Sequence, residues 1–249
     1  LHKSVNELAL SIEKLSSMQQ ALKQSEKLAH MGQLSAGIAH ELNNPLGIVI
    51  MYSNILLDES RPEDPVREDL KLIVEQAGRC KKIVGGLLNF ARKSQVNHQL
   101  VNIKELVTHS LESVIVPENV TVKIADQAGN PEAMLDSEQM IQVLSNLIKN
   151  ALDAMPGGGE INILLEDSLS DVTITVGDSG TGIKEEDRVK IFEPFYTTKG
   201  LGHGTGLGLA TTYGIVKMHK GQITVESNTD PAKGSTGTKF KIVLPRRKE

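Results

Sequence analysis

Two long helical stripes of apolar residues constrain the fold of the first 93 residues. In the first stripe, apolar or small side chains recur at alternating steps of four and three from Met31 to Leu56, which is the spacing of one face of an amphipathic helix. A second stripe of this kind runs from Val66 to Ala91. The stretch between them, 58–65, holds two prolines and is typical of a turn. We therefore predict two antiparallel helices, over about residues 4–57 and 63–93.

These stripes are too wide for two helices to cover each other. Two copies of the chain could cover them by forming a four-helix bundle, so the pattern predicts a homodimer through residues 1–93. Ahead of the hairpin, apolar residues from Val5 to Leu22 follow heptad spacing. That spacing predicts a short parallel coiled coil that continues directly into the first helix.

One polar cluster lies off the apolar stripe of the first helix. At about 100° per residue, His40 points away from the stripe, and Asn44, four residues later, shares its face. Glu41 flanks both, and Pro45 removes one helical hydrogen bond. A carboxylate can hold the proton of one ring nitrogen and leave the other nitrogen nucleophilic. A lone surface histidine is usually unremarkable in function, but this combination indicates chemistry on the imidazole itself.

From about residue 98 the pattern changes to short strands mixed with helices. It predicts an α+β domain, mostly one mixed sheet with helices on one face. We expect strands at 100–103, 120–125, 160–166, 171–176, 222–227 and 238–244. We expect helices at 103–114, 137–154 and 205–219, with Asp136 capping the second of them.

Two asparagines four residues apart, Asn146 and Asn150, share one face of the 137–154 helix, while leucines and isoleucines cover the other face. Amide oxygens suit a Mg²⁺ ion that already has phosphates among its ligands. Alone, the pair would be two solvated surface amides.

A carboxylate and two glycines follow the predicted strand 171–176. Asp178 could accept a hydrogen bond from an exocyclic amine, as recognition of adenine requires. Gly180 and Gly182 would let the backbone approach a ligand closely. By itself, this segment would be a common turn.

The third element is glycine-rich. Five glycines occur in the nine residues 200–208 and lead into a predicted helix, so free N–H groups could cradle phosphates at a helix N-terminus. Lys199, just before this lid, could reach a terminal phosphate. A flexible loop without a ligand is the alternative interpretation.

Composition excludes several other classes. The net charge is −4, so no nucleic-acid footprint is expected. No apolar run approaches about 18 residues, so we expect no membrane contact within this fragment. The only cysteine, Cys80, is expected to be a small core residue in a reducing, cytoplasmic compartment. Dinucleotide-binding and Walker-type glycine motifs are absent from the sequence.

Taken together, the motifs resemble those of the sensor histidine kinases of two-component systems. The resemblance covers residues 28 to about 245, and its histidine motif is most similar to the nitrogen-regulation-like subgroup. The motifs that carry it are His40-Glu-Leu-Asn-Asn44-Pro, Asn146-x-x-x-Asn150, Asp178-x-Gly180-x-Gly182, Phe192-x-x-Phe195 and Gly202-x-Gly204-x-Gly206-x-Gly208.

The resemblance implies three parts of the chain. These are a coiled-coil signal helix over 1–27, a dimerisation and histidine-phosphotransfer hairpin over 28–95, and a catalytic ATP-binding domain over 96–249. The last would be an α/β sandwich of the GHKL type, the fold shared by gyrase, chaperone, histidine kinase and mismatch-repair ATPases.

The resemblance also implies residue roles. His40 would be the phosphoacceptor, Glu41 its general base, and Asn44 the residue that orients a water when the protein dephosphorylates its partner. Asn150 would bind Mg²⁺. Asp178 would recognise adenine. The remaining cofactor-binding positions would be Asn146, Lys149, Gly180, Gly182, Phe195, Lys199, Gly202, Gly204, Thr205, Gly206, Leu207 and Gly208.

The function expected from this resemblance is ATP-dependent autophosphorylation of His40, followed by transfer to an aspartate of a response regulator. The linker near 92–101 would be the hinge that lets histidine and ATP meet. Three alternatives stay open at this point: an ATP-driven conformational machine of the GHKL type, a protein serine kinase, and a dimeric scaffold without catalytic activity.

Overall fold

The structure, a computed structural model, describes residues 41–92, 96–199 and 204–246 of the chain. It separates two compact units, with the division after Lys93. The predicted coiled coil over 1–27, the phosphoacceptor candidate His40 and the lid residue Gly202 lie outside the described residues.

The first unit contains a helical hairpin. Helix α1 covers residues 41–59 of the described part, and helix α2 spans Val66–Arg92. The turn ends at Asp64, whose Oδ1 accepts a hydrogen bond of 3.1 Å from the Val66 amide. The two predicted helices are therefore confirmed over the described residues. No helix in the described part of the chain has the length and apolarity needed to cross a membrane.

Arg67 fixes the turn between α1 and α2. Its Nη1 donates to the carbonyl oxygen of Leu57 at 2.7 Å and to the carbonyl oxygen and hydroxyl of Ser60, both at 2.9 Å. The last carbonyl groups of a helix have no partner within the helix, and a cation is favourable at that end. One side chain at the start of α2 therefore terminates α1.

The hairpin has an inner and an outer apolar line. The inner line consists of side chains at helical spacing that are buried or half-buried in the single chain: Leu46, Ile50, Ser53, Leu57, Leu70, Val74, Ala77 and Val84. The predicted α1 stripe is a different line: Tyr52 is 58% exposed and Leu56 52% exposed. Cys80, predicted to be a core residue, is also exposed. The hairpin thus carries an outer apolar face that its own two helices leave uncovered.

The second unit is built on a five-stranded mixed sheet. In spatial order its strands are β2 (Val120–Asp126), β4 (Gly159–Asp167), β5 (Asp171–Asp178), β7 (Gly237–Pro245) and β6 (Gln222–Asn228). The β2–β4 pair is parallel and the other pairs are antiparallel, which confirms the predicted mixed sheet. A 3₁₀ turn at Pro231–Lys233 precedes β7.

Helices α3 (Ile103–Glu112), α4 (Ser137–Asp153) and α6 (Gly208–Met218) accompany the sheet, with a short α5 at Glu185–Arg188. Asp136 caps α4 as predicted, since its Oδ1 accepts a 3.0 Å hydrogen bond from the Gln139 amide. Alternate strand residues face the helices, as a half-buried sheet requires. The core includes Met140, Val143, Leu144, Leu147, Ile148, Ile161, Ile163, Leu165, Val172, Ile174, Ile242 and Leu244.

One strand pair was not predicted. Strand β3, Glu132–Leu135, pairs antiparallel with β1, Gln99–Asn102. Glutamate, alanine, methionine and leucine all favour helices, so the local sequence gives no strand signal. The pairing is imposed by tertiary contacts instead: the Met134 amide donates to the carbonyl oxygen of Arg246 at 2.9 Å.

Asp136 also joins two other segments to α4. Its Oδ2 accepts from the Asn97 amide at 3.0 Å, and its own amide donates to Nε2 of the buried His219 at 3.0 Å. Burial is the largest cause that lowers the pKa of His219, and an Nε2 that accepts a hydrogen bond is unprotonated. The start of α4, the end of α6 and the segment before β1 are therefore held at one point.

We expect Arg67→Met to weaken the hairpin, because the variant keeps the apolar stem but removes the guanidinium that donates to the carbonyl oxygens of Leu57 and Ser60. The opening free energy of the last α1 amides should fall by about 1–2 kcal/mol, measured by native-state hydrogen exchange. Arg61→Met, in the same turn and exposed, is the charge-matched control. Equal protection in the two variants would contradict this role of Arg67.

Candidate functional site

A cavity of about 550 Å³ opens in the second unit beside α4 and the end of β5. This volume falls within the range of small-molecule sites. The predicted residues that line it are Asn146, Lys149, Asn150, Asp178, Gly182, Lys199, Gly204, Thr205, Gly206 and Gly208. The structure thus brings together residues that are up to 62 positions apart in the sequence, since Asn146 Nδ2 donates to the carbonyl oxygen of Gly208 at 3.3 Å.

Helix α4 presents its polar face to the cavity because its apolar face is buried. Leu144 and Leu147 are each 1% exposed, whereas Asn146 and Asn150 on the other side line the cavity wall. Asp153, which was not among the predicted site residues, continues the same polar face at the last position of α4. Three oxygen-bearing side chains therefore stand along one helix face.

Asp178 lies at the end of β5, where it is held by the backbone around it. Its Oδ1 accepts hydrogen bonds from the amides of Gly180 at 2.9 Å and Thr238 at 3.3 Å. Burial raises the pKa of this carboxyl, and the two amides oppose that shift. Among the described residues no hydrogen bond to Oδ2 is found, so this oxygen can accept one from a ligand amine.

The Asp178 turn requires glycine for two different reasons. A Cβ on Gly180 would lie 2.7 Å from the carbonyl oxygen of Ala154, which is too close. Gly182 has φ +76°, and a Cβ there would lie 2.3 Å from the carbonyl oxygen of Asn228. Gly180 is not part of the cavity wall itself, but its small size lets the turn approach the end of α4.

The described end of the lid is anchored on Phe195. The Phe195 amide donates to the carbonyl oxygen of Gly206 at 2.9 Å, and both residues have positive φ, 68° and 65°. Phe195 is 49% exposed and Leu207 is buried, and neither lines the cavity. Both predicted positions therefore support the lid rather than the cavity wall.

The N-terminus of α6 faces the cavity through Gly208 and Leu209. Leu207 stands at the N-cap and makes no capping hydrogen bond through its side chain. The first-turn amides of a helix have no partner inside the helix, and together with the helix dipole they favour an anion. The lid therefore leads into a wall suited to phosphate.

Lys199 is tied to α4 in this structure. Its Nζ donates to Asn150 Oδ1 at 3.2 Å and to Asp153 Oδ2 at 2.5 Å. The oxygens of α4 thus already hold a cation. This donor set, one amide oxygen and one carboxylate, also fits Mg²⁺, which accepts few protein ligands and keeps water and phosphate oxygens.

Sequence reasoning missed the apolar wall and one hydrogen-bonded pair. Ile183, Ile191 and Phe240 supply apolar surface to the cavity, which suits the ring of a base. Tyr196 donates its hydroxyl to Asp187 Oδ1, and that carboxylate raises the pKa of Tyr196 to about 12. Ile183 follows Gly182, and Ile191 and Tyr196 flank the Phe192-x-x-Phe195 motif, so their positions beside motifs could have indicated them. Asp187 and Phe240 lie beside no motif.

In the first unit, Glu41 and Asn44 are both exposed on α1. Their side chains are therefore open to a partner. His40, immediately before them, lies outside the described residues.

Two family models match the chain. The "His Kinase A (phospho-acceptor) domain" covers residues 30–95, and the "Histidine kinase-, DNA gyrase B-, and HSP90-like ATPase" covers residues 135–248. The first match contains His40, Glu41 and Asn44. The second contains every described cavity residue named above.

Curated relatives agree with these matches. The chain is 37% identical to the sensor kinase CckA of Brucella abortus, over 92% of this chain and 26% of CckA. It is 33% identical to the sensor histidine kinase ZraS of Escherichia coli, over 93% of this chain and 50% of ZraS. The chain spans half the length of these relatives or less.

Solved structures give the same result. The catalytic domain of histidine kinase ThkA is 32% identical, with a TM-score of 0.52 over 60% of this chain and 96% of that one. A structure of ThkA in complex with the response regulator protein TrrA is 26% identical, with a TM-score of 0.62 over 94% of this chain and 67% of that one.

We expect Asp178→Asn to weaken adenine nucleotide binding by about 10- to 100-fold without unfolding the domain, because an amide can keep the Oδ1 contacts but presents NH₂ to the adenine amine. Titration with a fluorescent adenine nucleotide measures the affinity.

The same variant should melt at the wild-type temperature or above it at pH 7. A pKa raised by burial means that ionised Asp178 costs stability above its folded pKa. That cost is lost as the pH falls through this pKa, so the two melting curves should converge in acid. A variant that melts well below wild type at pH 7, or that binds nucleotide normally, would refute this assignment.

Proposed function

We propose that ATP held in the α4 cavity donates its terminal phosphoryl group to His40 in this chain, which belongs to the sensor histidine kinases of two-component systems. The observation that carries the proposal is the assembly of Asn150, Asp178 and the described lid end around one cavity, in a chain whose other unit matches a phospho-acceptor family. The enzyme class is protein-histidine kinase. Neither the geometry nor the comparisons favour a serine kinase, a free-running ATPase or an inactive scaffold. The nitrogen-regulation-like subgroup stays a prediction.

The transfer forms one bond and breaks one. An unprotonated ring nitrogen of His40 attacks the terminal phosphorus, and the bond from that phosphorus to the bridging oxygen breaks, so ADP leaves with the electron pair. The proton on the other ring nitrogen passes to Glu41, acting as general base. An unperturbed histidine, with a pKa of about 6.5, is mostly neutral at physiological pH, so a ring nitrogen has a lone pair available for the attack. The product is a phosphoramidate on His40.

The cavity residues position the nucleotide for this step. Asp178 accepts from the adenine amine, and Asn146, Lys149 and the amides at the start of α6 bind the phosphates. Lys199 reaches the terminal phosphate. Asn150 would hold Mg²⁺, and that ion would supply positive charge to neutralise the phosphates. The remaining contribution of the protein is orientation.

The chain organisation follows from these roles. We assign residues 1–27 to a coiled-coil signal helix, 28–95 to the dimerisation and phosphotransfer hairpin, and 96–249 to the ATP-binding domain. Because His40 and the nucleotide belong to different parts of the chain, the transfer requires the two parts to meet. The linker near 92–101 would supply that motion.

The hairpin is proposed to form a homodimer through its outer apolar face. Dimerisation is implied by the matched phospho-acceptor family. In the single chain Val49 is 44% exposed, Tyr52 58% and Leu56 52%. A surface of this kind on consecutive helical turns is typical of an interface. Two copies would bury it as a four-helix bundle.

Val49→Glu should therefore raise the dimer dissociation constant about tenfold or more, since it places a charge in an apolar interface. Analytical ultracentrifugation measures the constant. Leu169→Glu, in the exposed β4–β5 turn, is the control for added charge. A monomeric wild-type chain, or equal effects of both substitutions, would rule out this interface.

The downstream partner is proposed to be a response regulator. ThkA, a similar protein, has been solved in complex with the response regulator protein TrrA. By analogy, phosphoryl transfer from His40 would go to an aspartate of a receiver domain. Asn44, exposed on α1, would orient water when the same complex loses its phosphoryl group. Since ATP and the receiver are substrates, we place these domains in the cytoplasm.

Replacement of the phosphoacceptor tests the proposal. His40→Gln should abolish label from γ-³²P-ATP while nucleotide binding stays at the wild-type level, because the cavity is on the other unit. His109→Gln, an exposed histidine of α3, is the matched control and should keep its label. Label retained by His40→Gln at the wild-type level would refute the assignment.

A further inference from the structure

Asp153 is a charged residue of the cavity wall to which the proposed function gives no role. It stands three residues after Asn150, at the last position of α4. Its carboxylate and the amide oxygen of Asn150 contact the same atom, Lys199 Nζ, at 2.5 and 3.2 Å. Two side chains of one helix face therefore converge on a single cation.

The position of Asp153 is unfavourable for a carboxylate on its own. The C-terminal end of a helix carries partial negative charge, so an acid in the last turn is repelled there. The last turn of α4 contains no basic residue to compensate. Cation binding is a physical reason for an acid to be tolerated at this place.

Nucleotide binding would change the partners of Asp153. It lines the same wall as Asn146, Lys149 and the start of α6, where the phosphates are proposed to lie. If Lys199 follows the terminal phosphate, Asp153 is left beside a polyanion. Asp153 is half exposed, so solvent screens part of the repulsion between the like charges, and the rest opposes phosphate binding unless another cation replaces the ammonium. A divalent ion bound to phosphate supplies that charge.

We propose that Asp153 is a second residue of the cation site and that it exchanges Lys199 for Mg²⁺ when Mg·ATP binds. In the nucleotide-free chain, Asp153 and Asn150 hold the ammonium. In the loaded chain, both side chains would face the metal, which accepts few protein ligands. Asp153 thereby makes nucleotide binding depend on the metal, because it penalises phosphate that arrives without one. This inference rests on the proposed function.

The test compares nucleotide affinity with and without the metal in the full chain. A non-hydrolysable ATP analogue is titrated in excess Mg²⁺ and in EDTA, with wild type and Asp153→Asn. We expect wild type to bind much more tightly with Mg²⁺. In Asp153→Asn the metal-free affinity should rise by about 3- to 10-fold, since a repulsion is removed, and the affinity in Mg²⁺ should fall by about 3-fold or more, since a carboxylate that faces the metal is lost. The ratio of the two affinities should therefore fall by about tenfold or more.

Two further variants separate this role from a structural one. Lys199→Met removes the ammonium from Asp153 as well as from the phosphate, so its metal-free affinity should fall, opposite to that of Asp153→Asn. Asp126→Asn is the control. Asp126 is not part of the cavity wall, and its carboxylate lies 3.1 Å from the Lys104 ammonium, so this variant should leave both affinities unchanged. An Mg²⁺-to-EDTA ratio in Asp153→Asn equal to wild type would overturn the proposal, as would parallel losses in Asp153→Asn and Lys199→Met.

The outcome is distinguishable from failure of the proposed function. If the wild-type chain does not bind the analogue in either buffer, the proposed ATP site itself is wrong. If wild type binds with a strong metal dependence that survives in Asp153→Asn, only the role of Asp153 is wrong.

Discussion

Helix α4 can serve the nucleotide cavity only because its opposite face is fixed on the sheet. Leu144, Leu147 and Ile148 are almost completely buried, and burial of each such side chain contributes about 1.5–3 kcal/mol. This packing sets the rotation of α4 about its axis. A helix rotated by a few tens of degrees would take Asn146 and Asn150 out of the wall that they share with the start of α6. The apolar half of α4 therefore positions the polar half.

Two other parts of the cavity wall, Asp178 and the described lid end, are held by backbone hydrogen bonds. Asp178 is oriented by two amides, and the described lid end is joined to the Phe195 backbone through Gly206. The glycines cost stability because they lose more backbone freedom on folding than other residues. Burial of the Asp178 carboxyl, which raises its pKa, also costs stability. Such costs are expected where a ligand is meant to supply the missing contacts. Lys199, bound to α4, partly offsets the charge of this wall until a ligand arrives.

Much of the fold was predictable because its elements follow strong local patterns. The period-two alternation of β4, β5 and β7, the helical stripe of α4 and the Asp136 cap all appear in the described structure at or near the predicted residues. Strand β3 was not predictable, since its residues favour helix and its pairing depends on Arg246, far along the chain. The inner line of the hairpin was misjudged for a related reason: periodicity finds an apolar face but cannot say whether its own hairpin or a second copy covers it. In the cavity, the residues that belong to regularly spaced glycine or asparagine motifs could be predicted from the sequence. The hydrogen bond of Tyr196 and the Asp153–Lys199 pair could not, because they depend on contacts that no local pattern encodes.

In the proposed reaction, a phosphoryl group passes from bound ATP to a ring nitrogen of His40. The most direct measurement is peptide mapping of the chain after incubation with Mg·ATP, combined with the acid and base stability of the phosphate found. We expect one phosphopeptide that contains His40, with a phosphate that is lost in acid and survives in base, as a phosphorus–nitrogen bond requires. An acid-stable phosphate on a serine, threonine or tyrosine, with the His40 peptide unmodified, would contradict it.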